Sequence, residues 1–385
     1  MWQVTFGTMQ QDMNEKQNRL NRYVRGWLIL GLVLVFGQIL IGGVTRLTGS
    51  GLSITKWEII TGTLPPMTTE AWEQEFALYK ETPQYALIND GMSLSEFKFI
   101  YFWEYLHRLW ARWMGLVFLI PFLIFWRKGM LSGRLIRQLC ILVGLAAVTA
   151  SFGWIMVASG LIERPWVNAY KLSTHLLLGF SVFLYLLHIL VGAIWPHGVG
   201  PSRSKHHRNL VALLSLLVFQ IFLGGMMSGM KAGFAYPTWP DMHGAWMPAM
   251  LGDVSHWTVE NFVDYDETGF MVALVQFMHR ITAYLLIIIG LRYYIRYRTA
   301  HVSPWYDRIH TLWIILLIIQ VTLGILTLLG FQRGMPVALG SAHQMVALLL
   351  VSTLVVQWTW IMEARRSPRS VQVDEVGSVG QDTMR

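Results

Sequence analysis

Eight long apolar stretches dominate the sequence and limit the chain to one class of fold. A helix that crosses a bilayer needs about 20 mostly apolar residues, and the interior of a soluble domain rarely requires so many segments of that length. The stretches occupy approximately residues 26–44, 103–126, 136–158, 172–194, 210–230, 270–291, 311–330 and 337–361. We therefore predict an all-α integral membrane protein with eight transmembrane helices.

Composition supports a bilayer as the solvent for much of the surface. Charged residues make up 14% of the chain and hydrophobic residues 54%, whereas about 25% of an ordinary soluble domain is charged. The net charge is +8, but the basic residues lie between apolar stretches, so no nucleic-acid partner is predicted. Cys140 is the only cysteine. A disulfide within the chain and a multi-thiolate metal site are therefore excluded.

The distribution of basic residues predicts the orientation, because cytoplasmic loops of membrane proteins are enriched in lysine and arginine. They lie before the first stretch and after each even-numbered stretch: Lys16, Arg19, Arg22, Arg25, Arg127, Lys128, Arg134, Arg137, Arg203, Lys205, Arg208, Arg292, Arg296, Arg298, Arg308, Arg365, Arg366 and Arg369. The two long loops, about 45–102 and 231–269, are acidic instead. Both termini are therefore predicted to be cytoplasmic and both long loops to lie outside.

The second half of the sequence repeats polar residues of the first half in the same order. The matched elements are Gln38 to Gly43 with Gln220 to Gly225, Trp57 with Trp239, His107-Arg108 with His279-Arg280, and Ser173-Thr174-His175 with Ser341-Ala342-His343. Shared apolar composition could make two segments look alike, but it would not align polar residues over four elements. The repeat predicts two four-helix bundles related by a pseudo-twofold axis along the membrane normal.

The predicted organisation has five parts. A cytoplasmic tail covers residues 1–25, the N-terminal bundle 26–195, a cytoplasmic linker 196–209, the C-terminal bundle 210–361 and a second cytoplasmic tail 362–385.

Four histidines occupy matching positions near the outer ends of the even-numbered stretches: His107, His175, His279 and His343. A single histidine in a helix is usually a hydrogen-bonded packing residue, but four at repeated positions inside a membrane favour a functional role. Two neutral imidazoles on facing helices can bind one haem iron from both sides. We expect His107 to pair with His175 and His279 with His343. Zinc is disfavoured, because the spacing of a chelate and a cysteine ligand are both lacking.

Three arginines are candidate cofactor-binding residues, and two of them are placed to bind the propionates of a haem. Arg108 and Arg280 each follow a predicted ligand, and a guanidinium can pair with a carboxylate through two hydrogen bonds. Both could instead extend to the membrane interface without a ligand. Arg46 lies in a glycine- and hydroxyl-rich stretch after the first span, and the repeat places Ser228 at the corresponding position.

One carboxylate distinguishes the two halves. Glu104 precedes His107 by three residues and shares its helix face, whereas Gln276 stands at the equivalent position before His279. A carboxylate beside an iron can accept protons, whereas an amide of nearly the same shape cannot. The N-terminal half is therefore predicted to be the reactive one, with Glu104 as the catalytic residue. Alternatively, Glu104 is an interfacial carboxylate paired with Arg108.

These residues together resemble the haem A synthase family over all eight spans and both outer loops. The matching motifs are TRLTGSGLS within Gly42 to Pro66, EYLHR at 104–108, GWIMVASGL at 153–161, and the histidines at 175, 279 and 343. The chain departs from part of the family by lacking a cysteine pair in the outer loops, which is typical of the proteobacterial and mitochondrial branch. Thr149-Ala150 replaces an expected Gln-Gly, and the sequence around His243 lacks the usual acidic residue.

The resemblance implies an oxidoreductase that converts the C8 methyl group of haem O to the formyl group of haem A through successive hydroxylations. It implies that the N-terminal histidine pair holds haem O, and then haem A, while the C-terminal pair holds a haem b. By position, Glu104 is the residue that the family uses in the chemistry. The resemblance assigns no electron acceptor and no source for the oxygen atom.

The resemblance also implies partners and a location. Haem O synthase would supply the substrate, and cytochrome oxidase subunit I or its assembly factors would receive haem A for a terminal oxidase. The protein would lie in the bacterial cytoplasmic (inner) membrane, and the sequence is compatible with a homo-oligomer. Two other functions remain open from the sequence: a di-haem b-type electron carrier without substrate chemistry, and a small-molecule transporter.

Overall fold

The chain is an all-α multi-span membrane protein, as its apolar stretches predict. The computed structural model describes residues 20–56, 64–160, 165–199, 204–266, 268–298 and 303–366. Among these residues, eight helices are long and apolar enough to cross a membrane. They are α1 (Arg22–Leu47), α2 (Leu94–Arg127), α3 (Gly133–Gly160), α4 (Ala169–Ile194), α5 (Ser204–Gly229), α6 (Phe270–Tyr297), α7 (Pro304–Gly330) and α8 (Val337–Arg366).

Several predicted features lie outside the described residues. They are residues 1–19 and 367–385 of the two predicted tails, Trp57 of the repeated tryptophan pair, and the basic residues Arg203 and Arg369.

The helices extend beyond the apolar stretches that predicted them. The largest difference is at α2, which begins at Leu94 rather than near residue 103. Ser93 and Glu96 form a capping box there, in which each side chain binds the other residue's backbone N–H. Such a cap satisfies backbone groups that would otherwise be unpaired at a helix start. Similarly, α5 begins at Ser204, within the predicted linker 196–209.

Helices α1, α4, α5 and α8 form the centre of the molecule. Helix α8 packs against α1, α4, α5 and α7, and α4 packs against α1, α3, α5 and α8. Helices α2 and α3 are the least buried of the eight, and their outward faces carry exposed apolar side chains such as Trp113 and Trp154. A single hydrophobic cluster includes residues from both predicted halves, among them Leu28, Leu186, Leu213 and Leu354. The arrangement as two bundles about a pseudo-twofold axis remains a prediction.

The described residues of two long segments, 48–56 with 64–93 and 230–266 with 268–269, lie at the same end of the bundle, which we call the outer end. The first contains the short helices Thr69–Lys80 and Pro83–Ile88. Its aromatic side chains, including Phe76 and Tyr79, stack on Phe97 at the start of α2. This packing places the segment beside the N-terminal part of α2.

The second outer segment contacts the helix that carries His175. The Tyr265 hydroxyl accepts a hydrogen bond from the backbone N–H of Ala169 at 2.8 Å, and Tyr170 donates from its hydroxyl to the Phe262 carbonyl at 2.8 Å. Ala169 is the first residue of α4. A segment that follows α5 therefore covers the start of a helix in the predicted N-terminal half.

Candidate functional site

Each of the four predicted histidine ligands lies against a glycine of the preceding long helix. A Cβ atom added to Gly42, Gly153 or Gly324 would lie 2.8, 2.9 or 3.0 Å from the Cε1 atom of His107, His175 or His343, respectively. The corresponding distance from Gly224 to His279 is 3.4 Å. The glycines therefore create the space that the imidazole rings occupy.

Three of the four histidines also contact a glutamine one helical turn before that glycine. The Gln38 side-chain nitrogen lies 3.2 Å from Nδ1 and 3.3 Å from Nε2 of His107. Gln220 lies 3.2 Å from Nε2 of His279, and Gln320 lies 3.2 Å from Nε2 of His343. Hydrogen bonds to an imidazole are the usual means by which a protein orients a metal-binding histidine.

The fourth histidine lacks such a glutamine. Thr149 stands one turn before Gly153, and its hydroxyl donates to the Leu145 carbonyl of its own helix at 2.8 Å. The Nδ1 atom of His175 is buried without a hydrogen-bond partner. His175 interacts with the Thr149 backbone instead, so it differs from the other three histidines in lacking a contact from a glutamine side chain.

The pattern Gln-x-x-x-Gly was visible in the sequence, but its connection to the histidines was not. It occurs in α1, α5 and α7 at Gln38/Gly42, Gln220/Gly224 and Gln320/Gly324, with Thr149/Gly153 in α3. Spacing of four residues places both side chains on one helix face. Which neighbouring helix that face meets depends on packing.

The structure brings the histidines together in the pairs that the sequence predicts. His107 and His175 lie close enough for an electrostatic interaction, and so do His279 and His343. His107 lies about 3.6 turns into α2, rather than within two, because α2 starts earlier than its apolar stretch. The other three histidines lie six to nine residues after the first residue of their helices.

The surroundings of the pairs fit a haem. Nδ1 of His175, His279 and His343 is buried and unpaired, and the carbonyl oxygens of Gln38, Gln220 and Gln320 are unpaired too. Buried polar atoms without partners cost free energy, so these sites are suited to a further ligand. No group of three or more His, Cys, Asp or Glu side chains that could hold a bare metal ion occurs in the described part of the chain. A haem macrocycle would supply four further ligands to an iron that a histidine pair binds.

Glu104 is buried and binds the first outer segment. Its Oε2 atom accepts hydrogen bonds from the Ser53 backbone N–H at 2.7 Å, the Ser53 hydroxyl at 2.8 Å and the Ile54 N–H at 3.0 Å. Its Oε1 atom pairs with the Arg108 guanidinium at 2.5 Å. The ion pair of the alternative interpretation is thus present, and Glu104 also fixes residues 53–54 above α2.

The equivalent residues of the other half, Gln276 and Arg280, bind the second outer segment. Gln276 donates a hydrogen bond there, whereas Glu104 accepts hydrogen bonds. Gln276 donates from its side-chain nitrogen to the Tyr236 carbonyl at 2.8 Å, and Arg280 donates to the same carbonyl at 3.0 Å. Arg108 similarly donates to the Ile54 carbonyl at 3.3 Å. A carboxylate accepts hydrogen bonds and an amide can donate them. Glu104 and Gln276 are therefore matched to differently oriented backbone groups.

Arg108 lies beside a cavity at the outer end. The cavity has a volume of about 220 Å³, and its polar lining includes Lys56, Glu75, Arg108 and Arg112. The lining has three cationic groups and one anionic group, and one of the cations, Arg108, is paired with Glu104. The cavity adjoins the helix that carries His107.

Arg46 crosses from one predicted half to the other. It lies in the last turn of α1, and its guanidinium donates a hydrogen bond to the backbone carbonyl of Ser228 in α5. Ser228 is the position that the repeat assigns as its counterpart. The two equivalent positions therefore meet in the structure.

Three further histidines of the described residues are separate from both pairs. His206 binds the hydroxyls of Tyr293 and Tyr306, and His310 lies 3.3 Å from the Gln357 carbonyl oxygen, all at the end opposite the outer one. His243 is exposed in the second outer segment and has a left-handed backbone with φ of 55°.

Substitution of the glycine against His107 is expected to weaken haem binding. In Gly42→Ala the new methyl group would overlap the ring, and such overpacking costs about 1–3 kcal/mol. We expect the haem content of the purified protein, measured by its absorbance relative to protein, to fall clearly. Gly224→Ala should have a smaller effect, because its Cβ would be at ordinary contact distance.

Gly115→Ala is the matched control, since nothing lies within 4 Å of a Cβ at that position of α2. A haem loss of equal size in Gly42→Ala and Gly115→Ala would contradict the proposed role of Gly42.

Comparisons with known proteins agree on one family. A family model described as "Cytochrome oxidase assembly protein" matches residues 25–355. A protein from Agrobacterium fabrum named "Heme A synthase" is 40% identical over 93% of this chain and 96% of its own length. Proteins of the same name from Sinorhizobium medicae and Rhizobium meliloti are 36% and 38% identical, over 93% and 89% of this chain and 95% and 91% of their own lengths.

Proposed function

The chain belongs to the cytochrome oxidase assembly protein family and acts in haem A biosynthesis, and on that premise we propose that it oxidises the C8 methyl group of haem O to the formyl group of haem A. The observation that carries this proposal is the pair of similar histidine sites with one carboxylate, Glu104, beside only one of them. A symmetric electron carrier would have no need for that difference.

We propose that His107 and His175 hold the substrate and that His279 and His343 hold a resident haem b. The difference at Thr149 supports this assignment. His279 and His343 are each oriented by a glutamine, whereas His175 has none. The N-terminal pair thus has one glutamine contact, from Gln38 to His107, and the C-terminal pair has two. Fewer such contacts suit a site that releases its product.

The residues around the N-terminal pair have separable roles in this proposal. His107 and His175 fix the plane of the substrate, and Arg108 lies where it can attract a propionate at the outer end. Conversion of a methyl to a formyl group adds one oxygen atom and removes four electrons and four protons when the oxygen is counted as water. Glu104 is proposed to accept protons at its carboxylate, which is fixed on the face of α2 that carries His107. The bound haem b supplies a one-electron redox centre.

We further propose that the protein lies in the bacterial inner membrane with both termini in the cytoplasm. Haem O synthase is the proposed donor of the substrate, and cytochrome oxidase subunit I or an assembly factor is the proposed acceptor of haem A. The membership of a cytochrome oxidase assembly family supports these partners.

Extraction of pigment from the purified protein tests the proposal. We expect haem b together with haem O or haem A, separated by chromatography and identified by mass. A di-haem electron carrier would yield haem b alone. A transporter would show no haem absorbance, and either of these outcomes would overturn the proposed activity.

A further inference from the structure

Two cationic residues bind the same backbone carbonyl at the outer end of the central helices. Arg46 ends α1 and binds the Ser228 carbonyl in α5. Lys231 follows α5 by two residues. The backbone N–H of Lys231 donates to the same Ser228 carbonyl at 3.1 Å. Partial burial, and secondly the charge of Arg46, lower the pKa of Lys231 below its usual value of 10.5. We call Arg46 and Lys231 the junction pair.

The junction pair has no carboxylate partner in the described part of the chain. The ion pairs found there involve Arg108, Arg134 and Arg366, together with a His256–Asp253 contact. Arg46 is half-buried, and Lys231 is exposed to solvent. Two like charges held close together in a partly desolvated place repel each other. An anion bound between them would relieve that repulsion.

The position of the junction pair relates it to both histidine sites. Arg46 lies one turn beyond Gly42 and two turns beyond Gln38, on the face of α1 that contacts His107. Lys231 lies three residues beyond Ser228, which continues the face of α5 formed by Gln220 and Gly224. The pair therefore lies at the outer edge of the two sites, where the Arg46 side chain links the end of α1 to the end of α5.

The backbone at Lys231 gives a second indication. Lys231 has φ of 50° and ψ of 35°, which is the left-handed region. This conformation is unfavourable for a residue with a Cβ atom, and glycine would adopt it without that cost. Such outliers persist where the surrounding structure holds them, often at binding sites. After this turn the chain forms the short 3₁₀ helix Ala232–Phe234, in which Gly233 lies against the Phe331 ring.

We propose that Arg46 and Lys231 together bind a propionate carboxylate of the haem held by His279 and His343. This inference rests on the proposed function, because it requires a haem in the C-terminal site. The hydrogen bond from Arg46 to Ser228 of α5 favours the C-terminal site over the N-terminal one. A residue of the N-terminal half would thereby help to hold the cofactor of the C-terminal half.

The test compares retention of two haems by the full-length protein in detergent. Wild type, Lys231→Gln, Lys231→Arg and Arg46→Gln are reconstituted with haem b or with haem b dimethyl ester, and transfer to excess apomyoglobin is followed by absorbance. A charge-assisted hydrogen bond to a carboxylate corresponds to about a tenfold change in dissociation. We expect Lys231→Gln and Arg46→Gln to lose haem b roughly tenfold faster than wild type and Lys231→Arg to resemble wild type.

The ester arm identifies the ligand, because esterified propionates carry no charge. We expect the difference between wild type and Lys231→Gln to disappear with the dimethyl ester. Lys80→Gln is the matched control, since Lys80 lies in the first outer segment with its ammonium 4.4 Å from the Phe76 ring. It should leave both rates unchanged.

Two results would overturn the inference. One is equal haem b retention in wild type and Lys231→Gln. The other is a difference that persists with the ester and depends on added phosphatidylglycerol, which would assign the junction pair to a lipid phosphate. Failure of the wild-type protein to bind haem b at all would instead contradict the proposed function.

Discussion

Glu104→Gln is expected to abolish the conversion of haem O to haem A while the protein still binds haem. The substitution keeps the shape of the side chain but removes the charge and the ability to accept a proton. Loss of one general base typically reduces a rate by about 10²–10⁴-fold. The measurement is haem A formed per protein after expression with a supply of haem O, together with the haem content of the purified variant.

The structure requires a control for this experiment, because Glu104 also fixes residues 53–54. A glutamine in its place directs an N–H group at another donor, either the Arg108 guanidinium or the backbone N–H groups of Ser53 and Ile54. Loosening of the outer segment could by itself lower activity. Ser53→Ala separates the two effects, since it removes the 2.8 Å hydroxyl contact but leaves the carboxylate.

If Glu104 takes part in the reaction, Ser53→Ala should keep most of the activity and Glu104→Gln should keep almost none. If Glu104 only holds the segment, the loss of activity in each variant should parallel its loss of haem. Normal conversion by Glu104→Gln would refute both roles.

Alanine substitutions at the two histidine pairs are expected to remove different haems. Loss of His279 or His343 should remove haem b, whereas loss of His107 or His175 should remove haem O and haem A and leave haem b in place. Removal of an axial ligand should weaken binding by more than the ~10–100-fold seen for changes around a metal ligand. Extraction and mass identification of the pigments of each variant provide the measurement.

His188→Ala is the control for this series. His188 lies in α4 with His175, but its Nδ1 atom binds the Thr359 hydroxyl at 2.9 Å near the other end of the helix. Its replacement should leave both pigments present. Simultaneous loss of both haems in each of the four ligand variants would contradict the assignment of one haem to each pair.

The number of spans and their helical character follow from the sequence. A bilayer core offers no hydrogen bonds to the backbone, so apolar stretches of this length must form helices. The exact ends were less predictable, because the polar extension of α2 to Leu94 depends on the Ser93–Glu96 capping box rather than on hydropathy. The four histidines that the structure places in two pairs were singled out from the sequence by their repeated positions.

The sequence by itself thus determined the class of fold, the repeated histidines and the difference between Glu104 and Gln276. Only the tertiary structure decided that α1, α4, α5 and α8 form the centre, that glycines provide the space for the imidazoles, and that Arg46 reaches α5. The physical reason is that lipid and a neighbouring helix are equally apolar surroundings. Hydropathy therefore shows that a segment lies in the membrane, but the helix that each face contacts is set by packing and interhelical hydrogen bonds.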